Sequence, residues 1–457
     1  MIKLQSVYLK ISCALIGLLA IMVATQTWAC DVAVVSGKVT TDGKPLIWKN
    51  FDNSSSANQQ VAYFPAKKTG PGGYTMIYRF EDGMKLLNKG SAITPSGGVN
   101  ESGFAIAGTS VYQDYNLTAE PVNINTVLME EALATCTTLA EFEKLLKNWP
   151  YSHFGTVISA NFVVIDAKGG AALYECFTGH LNVGLNLMQF RKNDANTGKV
   201  TNQWGWTLKS AQSNFIGFHI MTNYNNYIPW NVGQDRKNRA QAILTSLATT
   251  KRLSYRTVMR EVAKDVNGKQ VQEDLSSETN YSTTYCLSRN ATRSSIVVRG
   301  AASGGDPRLV TMWCNLGEPS VGVFVPFFAA AKGTSDLARV DTYANGKWND
   351  NDDSCLLNLA ISTRETYGEL IYSSNEGDSI WGMHDNYINK VELAKVQQWS
   401  FAIEDVMIDK TASYLSYLAS NPGQITAANL KYFSDDCIEY AFQNFTAGAA
   451  DYFPWQD

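Results

Sequence analysis

Cys30-Asp31-Val32-Ala33-Val34-Val35 followed by Thr41-Asp42-Gly43-Lys44-Pro45-Leu46-Ile47-Trp48-Lys49-Asn50-Phe51-Asp52 is the stretch on which the fold turns. Two β-type runs, 32–39 and 45–49, flank Asp42-Gly43. Asp-Gly between such runs signals a hairpin, because the tight turn needs positive φ and these two residues adopt it at little cost. The first strand thus begins at a cysteine, and what precedes that cysteine decides its chemistry.

Residues 1–29 form three zones: a weakly basic start with Lys3 and Lys10, an apolar run over 11–24, and a polar stretch ending Thr27-Trp28-Ala29. This is the layout of a cleaved secretory signal peptide, with small Thr27 and Ala29 at the positions the peptidase reads. The apolar run is shorter than the ~20 residues that span a bilayer. Cleavage after Ala29 would make Cys30 residue one of an exported chain, secreted or periplasmic. The competing outcome is lipidation of Cys30, which anchors a non-catalytic envelope or binding protein and blocks its amine. That processing signal wants a leucine-like residue where Thr27 stands and a small one where Trp28 stands.

Outward from the hairpin, strands are predicted at 61–65 and 74–80. A second hairpin, 97–99 with 104–112, turns at Asn100-Glu101-Ser102-Gly103. Helical spacing takes over between 123 and 149, where Thr138-Leu139-Ala140-Glu141 reads as a capping box for a second helix. Further strands are expected at 161–165, 171–176, 215–223, 285–288, 295–300 and 310–315, and helices at 235–248 and 254–266. The last hundred residues read as mostly helical. Hairpins interrupted by helix pairs predict an α/β fold of antiparallel sheets covered by helices. With no repeat or linker to divide it, the mature chain is expected to hold a core over 30–335 and a helical extension over 336–457 packed on the same domain.

The 38 basic and 42 acidic residues give a net charge of -4 with no basic patch, which points away from nucleic acid and anionic membranes as partners. Of eight cysteines, Cys13 lies in the leader. The remaining seven, Cys30, Cys136, Cys176, Cys286, Cys314, Cys355 and Cys437, are an odd set, which in an oxidising compartment suggests one thiol kept free while six others could form up to three disulfides, with fifteen possible connectivities. No zinc-type spacing is present, and no cofactor is expected. Asn53, Asn100, Asn116, Asn280, Asn290 and Asn444 each begin a glycosylation sequon.

A cysteine at a free N-terminus carries two catalytic parts in one residue, since its thiolate attacks a carbonyl and its α-amine handles the proton. The amine titrates near ~7.7 to 8.0 and the thiol near ~8.5, so the pair suits neutral pH. His153, His180, His219 and His384 then need no catalytic role. The aromatic residues Trp204, Trp206, Tyr224 and Trp230 are candidates for an apolar pocket or for core packing.

The opening from Cys30 to Asp52 resembles that of the choloylglycine hydrolase and penicillin acylase families, N-terminal-nucleophile hydrolases of linear amides. The similarity continues at Gly97-Gly98-Val99-Asn100-Glu101-Ser102-Gly103-Phe104, at 161–166 with Lys168-Gly169-Gly170, at Met221-Thr222-Asn223, and over 293–300 and 306–313. The resemblance implies a four-layer αββα sandwich and an acyl-enzyme on Cys30, formed from a small-molecule acyl amide. It implies that Asp52 binds the α-amine and that Lys49 sits beside the thiol, where bile-salt hydrolases have arginine. It gives Asn223 as the amide donor of the oxyanion hole, Ser110 in place of a second family asparagine, and Arg236 as a late active-site arginine, with Arg239 as the alternative. An N-acyl amino acid, a conjugated bile acid, a penicillin or an acyl-homoserine lactone would all fit as substrate. A dipeptidase or an acyltransferase would use the same nucleophile.

Overall fold

A computed structural model describes residues 30–52, 59–67, 70–80, 93–111, 125–152, 158–178, 188–227, 233–266, 280–282, 286–289, 291–338, 356, 372–374 and 386–452. The leader 1–29, Trp230, His153, His180, His384 and Cys355 lie outside the described residues. So do the sequons at Asn53, Asn116 and Asn290.

The opening hairpin forms as its sequence dictates. Strand β1 (Cys30–Val35) pairs antiparallel with β2 (Leu46–Asp52), Cys30 opposite Phe51 and Val35 opposite Leu46, and Gly43 takes φ 71° in the turn. β12 (Phe218–Met221) pairs with β1 on one side. On the other side β14 (Thr292–Arg299), β15 (Thr311–Leu316) and β16 (Phe324–Phe327) extend β2 into a six-stranded sheet of order β12-β1-β2-β14-β15-β16.

A nine-stranded sheet holds β3 (Gln60–Phe64), β4 (Tyr74–Phe80), β5 (Ile93–Asn100), β6 (Ala105–Ser110), β7 (Ser159–Ile165), β8 (Ala171–Thr178), β9 (Met188–Asp194), β10 (Val200–Asn202) and β11 (Thr207–Lys209) in consecutive antiparallel order. Strands β9 to β11 were not anticipated. Their polar, weakly β-branched sequence gains strand structure by successive pairing, β9 on β8, β10 on β9 and β11 on β10, an instance of tertiary context overriding propensity. Trp204 and Trp206, on the β10–β11 hairpin, are 65% and 69% exposed, so they line neither a pocket nor the core. Tyr224 is buried and donates from its hydroxyl to Gln234.

Period-two alternation gives β1 and β2 two different faces. Cys30, Val32, Val34, Ile47, Lys49 and Phe51 share one, and it lies across β6, β7 and β8, so that Val32 and Val34 join Ala107, Val163 and Leu173 in one core. Asp31, Asn50 and Asp52 are on the other face. That side meets α3 (Gln234–Thr249) and a π-helix, Val258–Ala263, which continues the short α4 (Tyr255–Thr257).

The far face of the nine-stranded sheet packs on α1 (Asn125–Thr135) and α2 (Leu139–Ser152), where Phe104, Phe162 and Tyr174 meet Leu128, Leu133 and Phe142. The capping box at the start of α2 is formed. Glu141 N donates to Thr138 Oγ1 at 3.3 Å, and Thr138 N donates to Glu141 Oε2 at 3.0 Å.

In the C-terminal part, β17 (Tyr372–Ser374), β18 (Asn386–Asn389) and β13 (Asn280–Ser282) make a small sheet that a mostly helical reading did not include. Helices α5 (Lys390–Ser420) and α6 (Ala427–Tyr452) follow, and Leu430, Phe433 and Ile438 join the core that holds Phe324 and Phe327. Of the strand expected at 285–288, the described residues 286–288 form a buried loop instead, in which Ser288 N donates to the Asp265 carbonyl (2.9 Å).

Two expectations about modification need correction. Among the described residues no disulfide joins any cysteine. Cys30, Cys136, Cys176, Cys314 and Cys437 are buried thiols that, apart from Cys30, pack as small apolar side chains in the two cores. Asn100 is no glycan acceptor in the folded chain, since its buried amide donates to the carbonyls of Leu133 (2.9 Å) and Cys136 (2.7 Å). Among the described residues no helix is long and apolar enough to cross a membrane.

Candidate active site around Cys30

The inner face of the hairpin places a thiol and an ammonium together. Lys49 Nζ donates to the carbonyls of Ser96 (3.1 Å) and Gly108 (2.6 Å) and lies 5.2 Å from the Phe51 ring centroid. Those carbonyls mark a fork. Pairing between β5 and β6 runs from Val99–Ala105 to Gly97–Ala107 and then stops, and the ammonium sits where the two strands part. Cys30 is 6% exposed. Burial pushes its thiol pKa up, the Lys49 charge opposes this, and the Asp52 and Asp31 charges add to the rise, while a hydrogen bond from the Asp52 backbone lowers it.

The outer face holds the backbone of Cys30 in place. Its nitrogen donates to Asn223 Oδ1 at 3.0 Å, and Arg236 Nη2 donates to the same oxygen at 3.1 Å. Arg236 Nε also pairs with both oxygens of Asp31, at 2.9 and 3.3 Å. Asn223 Nδ2 donates to the Ser110 carbonyl at 2.9 Å. Two donors on one atom and an acceptor on the other fix which way this amide faces. The segment is held from below, since Thr109 Oγ1 (2.8 Å) and Asn161 Nδ2 (2.9 Å) both donate to the Thr222 carbonyl.

Cys30, Lys49, Asn223, Arg236 and Ser110 are therefore brought into one neighbourhood, with differences from expectation. Asp52 is not the partner of the Cys30 nitrogen. The strand register turns its carboxylate to the outer face, where Thr292 Oγ1 (2.6 Å) and Arg289 Nη2 donate to it. Ser110 takes part through its backbone carbonyl, and its side chain is exposed. Arg239 turns away and grips Asp265 with two bonds, 3.0 and 2.7 Å long, which leaves Arg236 as the arginine of the site.

Asp31, Arg289, Thr292 and the chain Ser294–Gln59–Ser96 were missed as site residues. Asp31 carried a signal, being a charged residue beside the nucleophile in a strand otherwise apolar. Arg289 carried none, because it follows a segment that reads as a strand. His219 stands apart in β12, opposite Val34, with Nε2 3.4 Å from the Asp194 carbonyl. Burial holds its pKa down at about 4, although Asp194 opposes this. Among the described residues no group of three His, Cys, Asp or Glu side chains is arranged to hold a metal ion.

A cavity of ≈ 60 Å³ adjoins Cys30, Lys49 and Phe51 on one side and Gly108, Met129 and Phe162 on the other.

No known family model matches the chain, and no curated protein does. Among solved structures, a mutant of the conjugated bile acid hydrolase from Clostridium perfringens is similar at 14% identity, covering 66% of this chain and 92% of that one, with a TM-score of 0.37. Another variant of the same enzyme is similar at 15% identity over 79% of this chain and 84% of that one, with a TM-score of 0.27.

Proposed function

We propose that this chain is an exported cysteine N-terminal-nucleophile hydrolase, that removal of residues 1–29 frees the α-amine of Cys30, and that the two stacked sheets with their helices form an αββα sandwich. The observation that carries the reading is the double grip on one residue. The sulfur of Cys30 faces a cavity beside the Lys49 ammonium, while its nitrogen is held on Asn223 within the Arg236–Asp31 network.

In the reaction Cys30 Sγ attacks the carbonyl carbon of an acyl amide, and the α-amine accepts the thiol proton. Lys49 favours the thiolate as a point charge, without the two-pronged bonding an arginine would give. The proton then passes to the leaving nitrogen as the C–N bond breaks, giving a thioester on Cys30 and a free amine. Water, deprotonated by the same α-amine, attacks the thioester and releases a carboxylic acid. Asn223, whose Nδ2 donates to the carbonyl of the cavity-lining Ser110, is assigned to the developing oxyanion.

The test compares the chain exported with its own leader against a cytosolic form carrying one extra alanine before Cys30. Both termini are confirmed by mass. The first should hydrolyse members of an acyl-amide panel and the second should fold but not react, because its base is an amide. Cys30→Ser in the exported form should lose several orders of magnitude in rate. Equal turnover by the extended chain, or an N-terminus that carries lipid, refutes the reading.

A further inference from the structure

Resting on the reading of Cys30 as an acyl-forming nucleophile, we propose that the site is built for a short, apolar acyl group seated in the fork between β5 and β6. Three observations converge on the same slot. Beyond Gly97–Ala107 the two strands part, and the opening between them leads from the Cys30 sulfur toward α1. Gly108 lets Phe162 and Met129 pack closely over the strand beside the opening: a Cβ there would lie 2.9 Å from Phe162 Cδ1 and 3.1 Å from Met129 Sδ. The slot then ends on Met129 and Phe162, both buried in the core between the sheet and α1.

Size decides the class of acyl group. The cavity of ≈ 60 Å³ is under half of the ~150 Å³ that an apolar protein cavity offers to benzene, so it favours a short chain over a ring. A chain of about two to three carbons beyond the carbonyl fits, whereas a phenyl ring or a fused-ring acid does not. Chemistry agrees with size, since Pro95, Gly108, Met129, Ala160 and Phe162 make the lining largely apolar, with Asn125 and Thr126 as its polar members on α1. Lys49 marks the mouth rather than the floor, as its ammonium is bonded across the fork to Ser96 and Gly108. During turnover the acyl carbon bonds to Cys30 Sγ as the C–N bond breaks and the amine departs with a proton. The slot therefore holds the acyl half while the leaving amine lies outside it.

The experiment uses the mature chain, its Cys30 terminus confirmed by mass, with N-acyl 4-nitroanilides running from acetyl through decanoyl, together with phenylacetyl and cholyl members. kcat/KM should peak at propionyl or butyryl and fall by about tenfold or more at hexanoyl, in line with the ~10- to 200-fold range for a methylene in an apolar pocket. Met129→Ala should move the peak to longer chains, and Gly108→Ala should move it to acetyl. Phe162→Leu, which keeps most of the core volume, serves in place of Met129→Ala if melting shows that variant to be unfolded. A best substrate with a decanoyl or cholyl group, or a chain-length profile unmoved by these variants, overturns the proposal. A second readout needs no hydrolysis. Alkyl methanethiosulfonates from methyl to octyl transfer S-alkyl to the Cys30 sulfur and release sulfinate, and the rate, followed by peptide mass, should drop beyond propyl and extend in the Met129 variant. If no amide is cleaved, the hydrolase reading falls, and the alkylation profile still decides the slot. Uniform rates along the series refute it.

Discussion

Two places in this molecule bury opposite charges together, and they differ in what the charges surround. Around Cys30, Arg236 pairs with Asp31 and Arg289 with Asp52 on the outer face of the hairpin, and on the inner face the thiol borders a cavity beside Lys49. At the junction with the C-terminal helices, Lys264 Nζ lies 2.7 Å from Glu404 Oε1 and Arg260 Nε 2.8 Å from Glu404 Oε2. Lys264 also donates to the Gly322 carbonyl at 2.6 Å, and Glu404 Oε1 accepts from Phe324 N at 2.8 Å. The cavity there, ≈ 480 Å³, is far larger than the one beside Cys30, but among the described residues no cysteine, serine or threonine lines it. Buried ion pairs and cavity volume are therefore poor guides by themselves. What separates a site from a structural joint is a reactive atom to which the charges are aimed.

The largest expected effect tests that separation directly. Glu404→Leu removes the buried carboxylate shared by Lys264 and Arg260, and Asp52→Asn removes the buried charge that pairs with Arg289, so each should cost about 3–5 kcal/mol of stability. Only Asp52→Asn should also lower kcat, measured per folded molecule by active-site titration at a temperature where both variants are folded. The comparison breaks if Glu404→Leu lowers kcat as well, because the joint would then be coupled to the chemistry.

Next in size is the contrast between two arginines one helical turn apart. Arg236→Lys should reduce kcat by about ten- to a hundredfold, on the order of 1.5–3 kcal/mol, because one ammonium cannot hold Asp31 and Asn223 at once as the guanidinium does. Arg239→Lys should leave kcat unchanged, since its partner Asp265 belongs to the other region. Equal losses in the two variants would mean that α3, rather than Arg236, is the sensitive feature.

The same contrast explains what could be seen in the sequence. The hairpin at Asp42-Gly43, the turn at 100–103 and the capping box at Thr138–Glu141 are local devices, each decided by residues a few positions apart, and each forms as expected. Cys30, Lys49, Asn223 and Arg236 were legible as candidates because their neighbours form recognisable short motifs. The partners of Asp52 were not, since Arg289 and Thr292 reach it from more than two hundred residues away through a pairing of β2 with β14 that no local pattern encodes. Strands β9 to β11 were missed for a related reason, as their polar sequence becomes strand only by successive pairing outward from β8.

The smallest effect concerns Lys264 and sharpens the contrast through pH. Burial lowers its pKa to about 8 even though Glu404 opposes the shift, whereas an unfolded lysine titrates near ~10.4. Between those values the unfolded chain binds more protons than the folded one, so this residue makes stability rise with pH. Its penalty is complete below pH ~8 and relieved by about pH 10.4. Buried thiols and tyrosines such as Cys314 and Tyr174 have raised pKa values and act in the opposite sense over the alkaline range, so the signal must be taken as a difference. Urea unfolding of the parent chain and of Lys264→Met, at intervals from pH 7 to 10, isolates it. The parent should gain on the variant by about 2–3 kcal/mol over that range, on the scale of 1.36 kcal/mol per pKa unit. A flat difference would mean that Lys264 is no more costly to charge in the fold than in water, and that Glu404 offsets its burial in full. The joint would then be an ion pair that stabilises on balance, and the distinction from the Cys30 region would rest on the thiol alone.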